Sequence, residues 1–221
     1  MTHSFPKIIW QTHNYKKEWL PEHLRASASA WINLNPGWDY RYVNQVERDE
    51  TVRKYPEIYE VYKYEPPVLQ TDIWRLIAVY EEGGCYADMD SLPIMPLDCM
   101  IEKIGGNLEV ITVTEKGTLG GNYHNFIGKK NSPILKDVFD TLYDWIDADR
   151  PIDEIQPIRS FVKIVYSPEN SDRVSQKFDV AHSDEFKKSF DITKHQIDYC
   201  GIEMGYGDYV KEHSLELIYN F

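Results

Sequence analysis

Residues 67–98, which read PVLQTDIWRLIAVYEEGGCYADMDSLPIMPLD, are the stretch that decides the fold. Apolar residues recur at helical spacing from about Leu69 to Glu82. The paired glycines Gly83 and Gly84 follow at once, and glycine ends helices because it reaches the left-handed backbone region without steric cost. The sequence therefore predicts a buried helix that stops at this pair.

Two aspartates, Asp88 and Asp90, come directly after a short strand predicted over residues 85–87. In α/β proteins, ligands bind in the crevice beyond the carboxyl ends of the strands. Carboxylate oxygens at such a place suit Mg²⁺ or Mn²⁺, which keep open positions for phosphate oxygens and water. The pair alone is more often a solvated acidic turn than a metal site, so other residues must decide between the two interpretations.

Asp72 and Arg75 supply that further indication. They lie three residues apart in the predicted helix and so share one of its faces. An arginine offers a planar fork to phosphate or carboxylate, and an aspartate accepts hydrogen bonds from sugar hydroxyls. This face is expected to look into the same crevice as Asp88 and Asp90.

The composition indicates one globular domain. The chain has 221 residues, of which 42% are hydrophobic and 14% aromatic, enough to bury a sizeable core. The formal net charge of −12 argues against nucleic acid or an anionic membrane as a partner. A cation on the aspartates would locally offset the repulsion between this acidic protein and an anionic substrate.

The cysteines and the apolar runs bear on the compartment. Cys85, Cys99 and Cys200 are odd in number and lack metal-type spacing, which favours free thiols in a reducing compartment. No run of about eighteen apolar residues predicts a membrane span, and the first residues lack a secretory pattern. We therefore expect a cytoplasmic protein.

The other elements alternate between strand and helix patterns, as expected for a mostly parallel sheet flanked by helices. Strands are predicted at residues 5–12, 38–43, 108–114, 162–166 and 215–219, and helices at 20–34, 46–64 and 134–146. Residues 91–98 are predicted to be a connection punctuated by prolines.

The central stretch resembles the Asp-x-Asp-containing sugar-transferase family, which includes yeast initiating mannosyltransferases, bacterial capsule and lipooligosaccharide transferases and, distantly, the glucosylating clostridial toxins. The family pattern is a small residue and Asp, then Arg, a helix ending in Gly-Gly, an aromatic residue, Asp-x-Asp and Pro-Leu-Asp. These places are filled by Thr71, Asp72, Arg75, Gly83, Gly84, Tyr86, Asp88, Asp90, Pro96, Leu97 and Asp98.

The resemblance implies a single GT-A-type, Rossmann-like nucleotide-sugar-binding domain over residues 1–221. Within it, residues 1–146 would form the nucleotide-sugar and metal-binding core, and residues 147–221 a divergent carboxy-terminal portion. It further implies a metal-dependent retaining glycosyltransferase with Mn²⁺ or Mg²⁺ on Asp88 and Asp90. UDP-sugar is the expected donor, although mannosyl relatives use GDP, and the acceptor is a glycan or another molecule. Golgi members of the family carry an amino-terminal anchor. No anchor is expected from this sequence, so it resembles the bacterial or viral members more.

Residue roles also follow from the resemblance. Asp72, Arg75, Asp88 and Asp90 are the expected catalytic residues. The expected substrate-binding residues are Trp10, Gln11, Thr12, Thr71, Asp72, Arg75, Tyr86 and Asn122. Trp10 would stack on the nucleobase, the alternative being a core residue. The asparagine that contacts the donor sugar is Asn122 or Asn125, and His124 is a candidate third metal ligand.

The end of the chain departs from the family pattern. Family members finish with a His-rich segment and a Ser-Trp, whereas no tryptophan follows Trp145 here. Two alternatives therefore stay open: a nucleotide-sugar hydrolase or donor-binding relict, and a non-catalytic protein whose acidic patch binds cations.

Overall fold

A six-stranded mixed sheet forms the centre of the protein. The structure is a computed structural model that describes residues 4–89, 91–93, 96–114, 121–147, 156–178, 197–198 and 201–204. The strand order is β2-β1-β3-β6-β5-β7. The strands are β1 (Ile8–Thr12), β2 (Asp39–Val43), β3 (Gly84–Ala87), β5 (Val110–Thr114), β6 (Gly121–Gly128) and β7 (Val174–Phe178). Three of the five pairings are parallel, and β6 runs antiparallel to both of its neighbours.

One face of this sheet carries the main core. The helices that pack there are α2 (Gln45–Val52), α3 (Pro56–Tyr62), α4 (Pro67–Glu82), α6 (Pro133–Asp147) and α7 (Gln156–Val165). Trp10, Tyr86 and Phe126 share a row across three strands and point into this core. Helix α4 is buried along most of its length, so its polar residues Asp72 and Arg75 are held inside the protein.

The opposite face carries α1 (Glu22–Leu34) and a smaller cluster. Leu20, Leu24 and Ala28 pack against Met89, the residue between the two aspartates. The indole of Trp31 donates a hydrogen bond of 2.8 Å to the Ser91 carbonyl at the start of β4 (Ser91–Pro93). β4 belongs to a second sheet, in which β9 (Gly201–Met204) lies between it and β8 (Ile197–Asp198).

The predicted α/β class is confirmed, with three corrections to its elements. Residues 162–166 were predicted to be a strand, which is wrong: they lie in and just after α7. Residues 46–64 form two helices instead of one, because Pro56 begins α3 at its first turn. The connection at 91–98 contains β4 and the start of α5 (Leu97–Ile104). The strand predicted at 215–219 lies outside the described residues.

Two further features bear on the sequence predictions. No helix in the described part of the chain has the length and apolar character needed to cross a membrane. Among the described residues, the buried Cys85 and the exposed Cys99 form no disulfide. The sequence predicted a divergent portion of the domain after residue 146. Helix α7 and strand β7 follow that residue and pack with α6 and β5, and the division itself stays a prediction.

Candidate active site

The glycine pair Gly83-Gly84 turns the chain from α4 into β3 and so positions Asp88. Both glycines have positive φ angles, 75° and 101°. The Gly83 amide donates to the Val79 carbonyl at 2.8 Å and closes the last turn of α4. The next four residues form a fully buried strand beside β1, and Asp88 follows it immediately. The predicted helix, turn and strand are thus confirmed.

Asp72, Arg75 and Asp88 form a charged cluster at the end of β3. Arg75 is ion-paired with Asp72 one turn earlier in α4, as their spacing predicts. Its Nη1 also donates to Asp88 Oδ1 at 3.3 Å and to the Tyr123 carbonyl at 3.2 Å. Asp72 is 0% exposed and Arg75 only 4%, whereas the Asp88 side chain keeps 26% of its surface accessible. Asp88 is therefore the carboxylate of this cluster that a ligand can reach.

Two tyrosines enclose the Arg75 guanidinium. The Tyr86 and Tyr123 rings lie 5.0 Å and 4.4 Å from it, a distance at which cation–π attraction operates. The Tyr86 hydroxyl donates to Asp88 Oδ1, and the Tyr123 hydroxyl donates to the Asp72 carbonyl at 2.6 Å. Burial raises the pKa of both hydroxyls, and the charge of Asp88 raises that of Tyr86 further. Both tyrosines consequently stay protonated and act as hydrogen-bond donors.

Gln11 joins β1 to the aspartate turn. Its Nε2 donates to the Asp88 carbonyl at 2.9 Å, and its Oε1 accepts from the Tyr40 hydroxyl at 2.8 Å. The side chain is 0% exposed, so these two bonds fix its orientation. Gln11 thus orients the backbone on which Asp88 is carried.

Arg48 brings Thr12 and Thr71 together. Its Nη1 donates to Thr12 Oγ1 at 2.9 Å and to Thr71 Oγ1 at 3.1 Å, and its Nη2 donates to Asn14 Oδ1. Arg48 is 1% exposed, and within the described residues no carboxylate forms an ion pair with it. Sequence reasoning missed this residue. The available signal was its position four residues before the buried Val52, on the inward face of α2.

Arg48→Lys is expected to lower the free energy of unfolding by about 2 kcal/mol, because one ammonium cannot replace a planar fork that reaches three acceptors. Urea unfolding measures the change. Arg53→Lys, an exposed arginine at the end of the same helix, is the matched control and is expected to leave the midpoint unchanged. Equal midpoints for the two variants would contradict this account of Arg48.

Trp10 is part of the core in this structure. It is 5% exposed, its ring meets that of Trp74 edge-on at 6.1 Å, and its Nε1 donates to the Gly83 carbonyl at 2.9 Å. The Arg41 guanidinium lies 4.8 Å from the ring. This burial favours the packing alternative, and stacking on a nucleobase stays a prediction.

The structure describes only some of the remaining candidates. Asp90 and the side chains of Asn122 and His124 lie outside the described part. Asn125 is paired with Ala87, the residue before Asp88, and is 1% exposed. Among the described residues, neither polar atom of its side chain has a hydrogen-bond partner, and both atoms are buried.

Known proteins match this part of the chain. Residues 21–110 match the family described as glycosyltransferase sugar-binding region containing DXD motif. The HOC1 protein of Saccharomyces cerevisiae, named as a glycosyltransferase, is 32% identical over 98 residues, which are 42% of this chain and 24% of that protein. The initiation-specific alpha-1,6-mannosyltransferase of Candida albicans is 26% identical over 101 residues, 42% of this chain and 26% of that enzyme. This chain thus spans only about a quarter of either relative.

A further relative and a solved structure agree with this match. Mannosyl phosphorylinositol ceramide synthase SUR1 of Saccharomyces cerevisiae is 34% identical over 91 residues, 38% of this chain and 22% of that protein. The solved structure of the PaToxG glycosyltransferase superposes with a TM-score of 0.53 at 13% identity, covering 73% of this chain and 69% of that one. That likeness supports the GT-A-type fold.

The family match and the geometry fall on the same residues. The matched segment contains Asp72, Arg75, Tyr86 and Asp88, and these side chains meet in one cluster at the end of β3. The resemblance predicted from the sequence is confirmed. Residues 21–110 match the sugar-binding region of the Asp-x-Asp-containing glycosyltransferase family, and the fold of this segment agrees with that match.

Proposed function

We propose that this protein transfers a hexosyl residue from a nucleoside diphosphate sugar to a saccharide or another acceptor. The observation that carries the proposal is the cluster in which Arg75 joins the buried Asp72 to the accessible Asp88, within the segment that matches the family. A cation fork fixed between two carboxylates is suited to orienting an anionic, hydroxyl-rich donor.

The residues present fit a divalent cation. Asp88 Oδ1 is engaged by Tyr86 and Arg75, while the side chain as a whole keeps access to solvent. Within the described part of the chain, no three His, Cys, Asp or Glu residues gather into a metal-binding group. Mg²⁺ and Mn²⁺ fit a site of one or two carboxylates that phosphate oxygens and water complete. We assign the ion to Asp88 and, from the family pattern, to Asp90.

The roles of the chain's residues follow from their contacts. A divalent cation held at Asp88 would offset negative charge on the diphosphate as the glycosidic bond breaks. Arg75, fixed by Asp72 and two tyrosines, would orient the donor sugar, with Asn125 as an additional contact. In the transfer, the bond from the anomeric carbon to the diphosphate breaks and its electron pair leaves with the diphosphate. The acceptor oxygen bonds to that carbon and its proton passes to the departing diphosphate, with retained configuration as our expectation.

The donor is proposed as a UDP- or GDP-sugar. The family resemblance favours UDP. The names of two matched relatives favour a mannosyl group, and the mannosyl members of the family use GDP as the nucleotide. Titration of both nucleotides therefore belongs to the same experiment. The cytoplasmic compartment expected from the cysteines remains a prediction.

The decisive experiment is calorimetric titration of UDP, GDP and their mannose and glucose conjugates with and without Mn²⁺. We expect Asp88→Asn to lower the affinity for the preferred donor about a hundredfold in the presence of Mn²⁺, because the substitution removes a charged ligand while keeping its shape. Asp140→Asn, a half-exposed aspartate of α6 paired with Lys136, is the control and should bind like wild type.

Absence of binding to every nucleotide by the folded wild type would refute the proposal. Binding that ignores Mn²⁺ and Asp88 would leave a donor site without the proposed metal. Release of free sugar without transfer to any added saccharide would favour the hydrolase alternative that the missing carboxy-terminal pattern raises. The anomeric configuration of the product, read by NMR, tests retention.

A further inference from the structure

The loop of residues 13–19, which we call the β1–α1 loop, starts and ends beside Asp88 and Met89. Parallel pairing of Trp10 with Tyr86 brings Thr12, the last residue of β1, level with Asp88. At the other end, Leu20 packs against Met89. The loop therefore borders the proposed transfer site at both of its ends.

Hydrogen bonds hold this loop in one conformation. The Tyr42 hydroxyl donates to the Tyr15 carbonyl at 2.6 Å, and Arg48 donates to the Asn14 side chain. The Trp19 amide donates to the Lys16 carbonyl at 2.9 Å within a 3₁₀ turn at Lys17–Trp19. A loop that is fixed in this way presents its side chains at low entropic cost to a ligand.

The loop exposes two large aromatic side chains. Trp19 is 70% exposed and Tyr15 is 50% exposed, and the Lys16 ammonium lies 5.7 Å from the centroid of the Trp19 ring. Trp19 precedes Leu20, so the Cα atoms of the two residues are about 3.8 Å apart. Because Leu20 packs against Met89, Trp19 also lies close to the aspartate turn. Exposed aromatic residues beside a reaction site mark a surface for a ligand that has both apolar and polar faces.

A groove of about 630 Å³ begins at Lys17 of this loop. It runs from Lys17 along the open edge of β2 to α2, a size typical of ligand sites. Tyrosines and residues of both charges line it, among them Tyr40, Arg41, Tyr42, Glu47 and Lys54. Because Tyr42 also holds Tyr15, the groove and the aromatic rim form one continuous surface.

We propose that this surface binds the acceptor as a saccharide, with Trp19 and Tyr15 stacking on a sugar ring and the groove binding its hydroxyls. The inference rests on the proposed transfer reaction and names the acceptor class for the same site. A saccharide matches the surface because its C–H faces suit aromatic rings and its hydroxyls suit acids, bases and tyrosines together.

An anionic lipid surface fits the same loop less well. Lys16 and Lys17 would attract it, but Glu18, Glu47 and Glu50 lie on or beside the surface, and the chain carries a net charge of −12. Repulsion from these carboxylates opposes docking onto an anionic membrane. A neutral saccharide meets no such repulsion.

Saturation-transfer NMR with α-1,6-linked mannotetraose and the methyl glycosides of mannose, glucose, galactose and N-acetylglucosamine tests the proposal. We expect at least one saccharide to bind wild type, with about tenfold weaker affinity in Trp19→Ala through loss of the aromatic contact. Trp19→Phe, which keeps a ring, should stay within about threefold of wild type. Tyr64→Ala removes an aromatic residue that is 81% exposed and belongs neither to the loop nor to the groove, and it should bind like wild type.

Three results would overturn the proposal: no saccharide contacts the wild type, Trp19→Ala binds as wild type does, or Trp19→Ala loses the nucleotide sugar to the same degree. Sedimentation with phosphatidylserine vesicles tests the alternative that this surface binds an anionic lipid. Binding to the vesicles that depends on Trp19, without any saccharide signal, would replace the saccharide with a lipid. Donor titration of the same variants separates the two proposals. Donor binding without saccharide binding refutes this inference alone, and the reverse refutes the proposed donor site alone.

Discussion

Arg75→Met is expected to lower the free energy of unfolding by about 3–5 kcal/mol, because it leaves the Asp72 carboxylate buried without its counter-ion. Asp72 is 0% exposed, and Arg75 forms an ion pair with it inside α4. Methionine keeps much of the arginine volume, so the lost packing contributes less than the stranded charge. Urea denaturation followed by circular dichroism measures the difference.

Two further variants make this prediction specific. Arg159→Met removes an exposed arginine of α7 and should change the free energy of unfolding by less than about 0.5 kcal/mol. Asp72→Leu combined with Arg75→Met removes both charges and should recover part of the loss, since no isolated charge is left buried. If Arg75→Met is as stable as Arg159→Met, Arg75 is not the partner that keeps Asp72 inside the protein.

The spacing of Asp72 and Arg75 illustrates what the sequence could predict. Three residues of helix place two side chains on one face, whatever the tertiary structure, and their ion pair follows from that geometry. The helix end at Gly83 and the strand before Asp88 were likewise readable from local chemistry. Local signals of this kind determined the predicted cluster.

Arg48 shows where local signals fail. Its acceptors come from two separate segments of the chain, namely Thr12 and Asn14 at and just after the end of β1 and Thr71 in α4. Nothing near Arg48 in the sequence indicates these partners, and an arginine in a charged segment is usually solvated. Its position four residues before Val52 indicates burial, but only the folded arrangement of β1, α2 and α4 reveals its partners.

Residues 162–166 failed for a different reason. Their sequence VKIVY is apolar and β-branched, and so short a run cannot distinguish a strand from one turn of a buried helix. The longer segment resolves it, because Phe161 and Val165 are both buried and lie four residues apart in α7. The antiparallel strand β6 within the sheet was also beyond the pattern, since a strand run carries no direction.

Gly84→Ala is expected to lower the free energy of unfolding by roughly 3–5 kcal/mol, through a strained backbone and a clash in the middle of the sheet. The φ angle of Gly84 is 101°, a region that side chains of L residues rarely adopt. An added Cβ would lie 2.5 Å from the carbonyl oxygen of Ile8 and 2.9 Å from its Cβ. Ile8 belongs to β1, which is paired on both sides, so it cannot move away without breaking the sheet.

The chain contains a matched control for this substitution. A Cβ at Gly37 would meet no atom within 4 Å, so Gly37→Ala should change stability by less than about 0.5 kcal/mol. Because Asp88 directly follows β3, a shift of this strand would also displace the carboxylate that faces the ligand. Gly84→Ala should therefore lose donor affinity along with stability, whereas Gly37→Ala keeps both. If Gly84→Ala unfolds at the same urea concentration as Gly37→Ala, the β1–β3 pairing is loose enough to admit a side chain. The proposed chemistry needs Asp88 to be held rigidly, and Gln11 and Tyr86 would then have to hold it instead of the strand pairing.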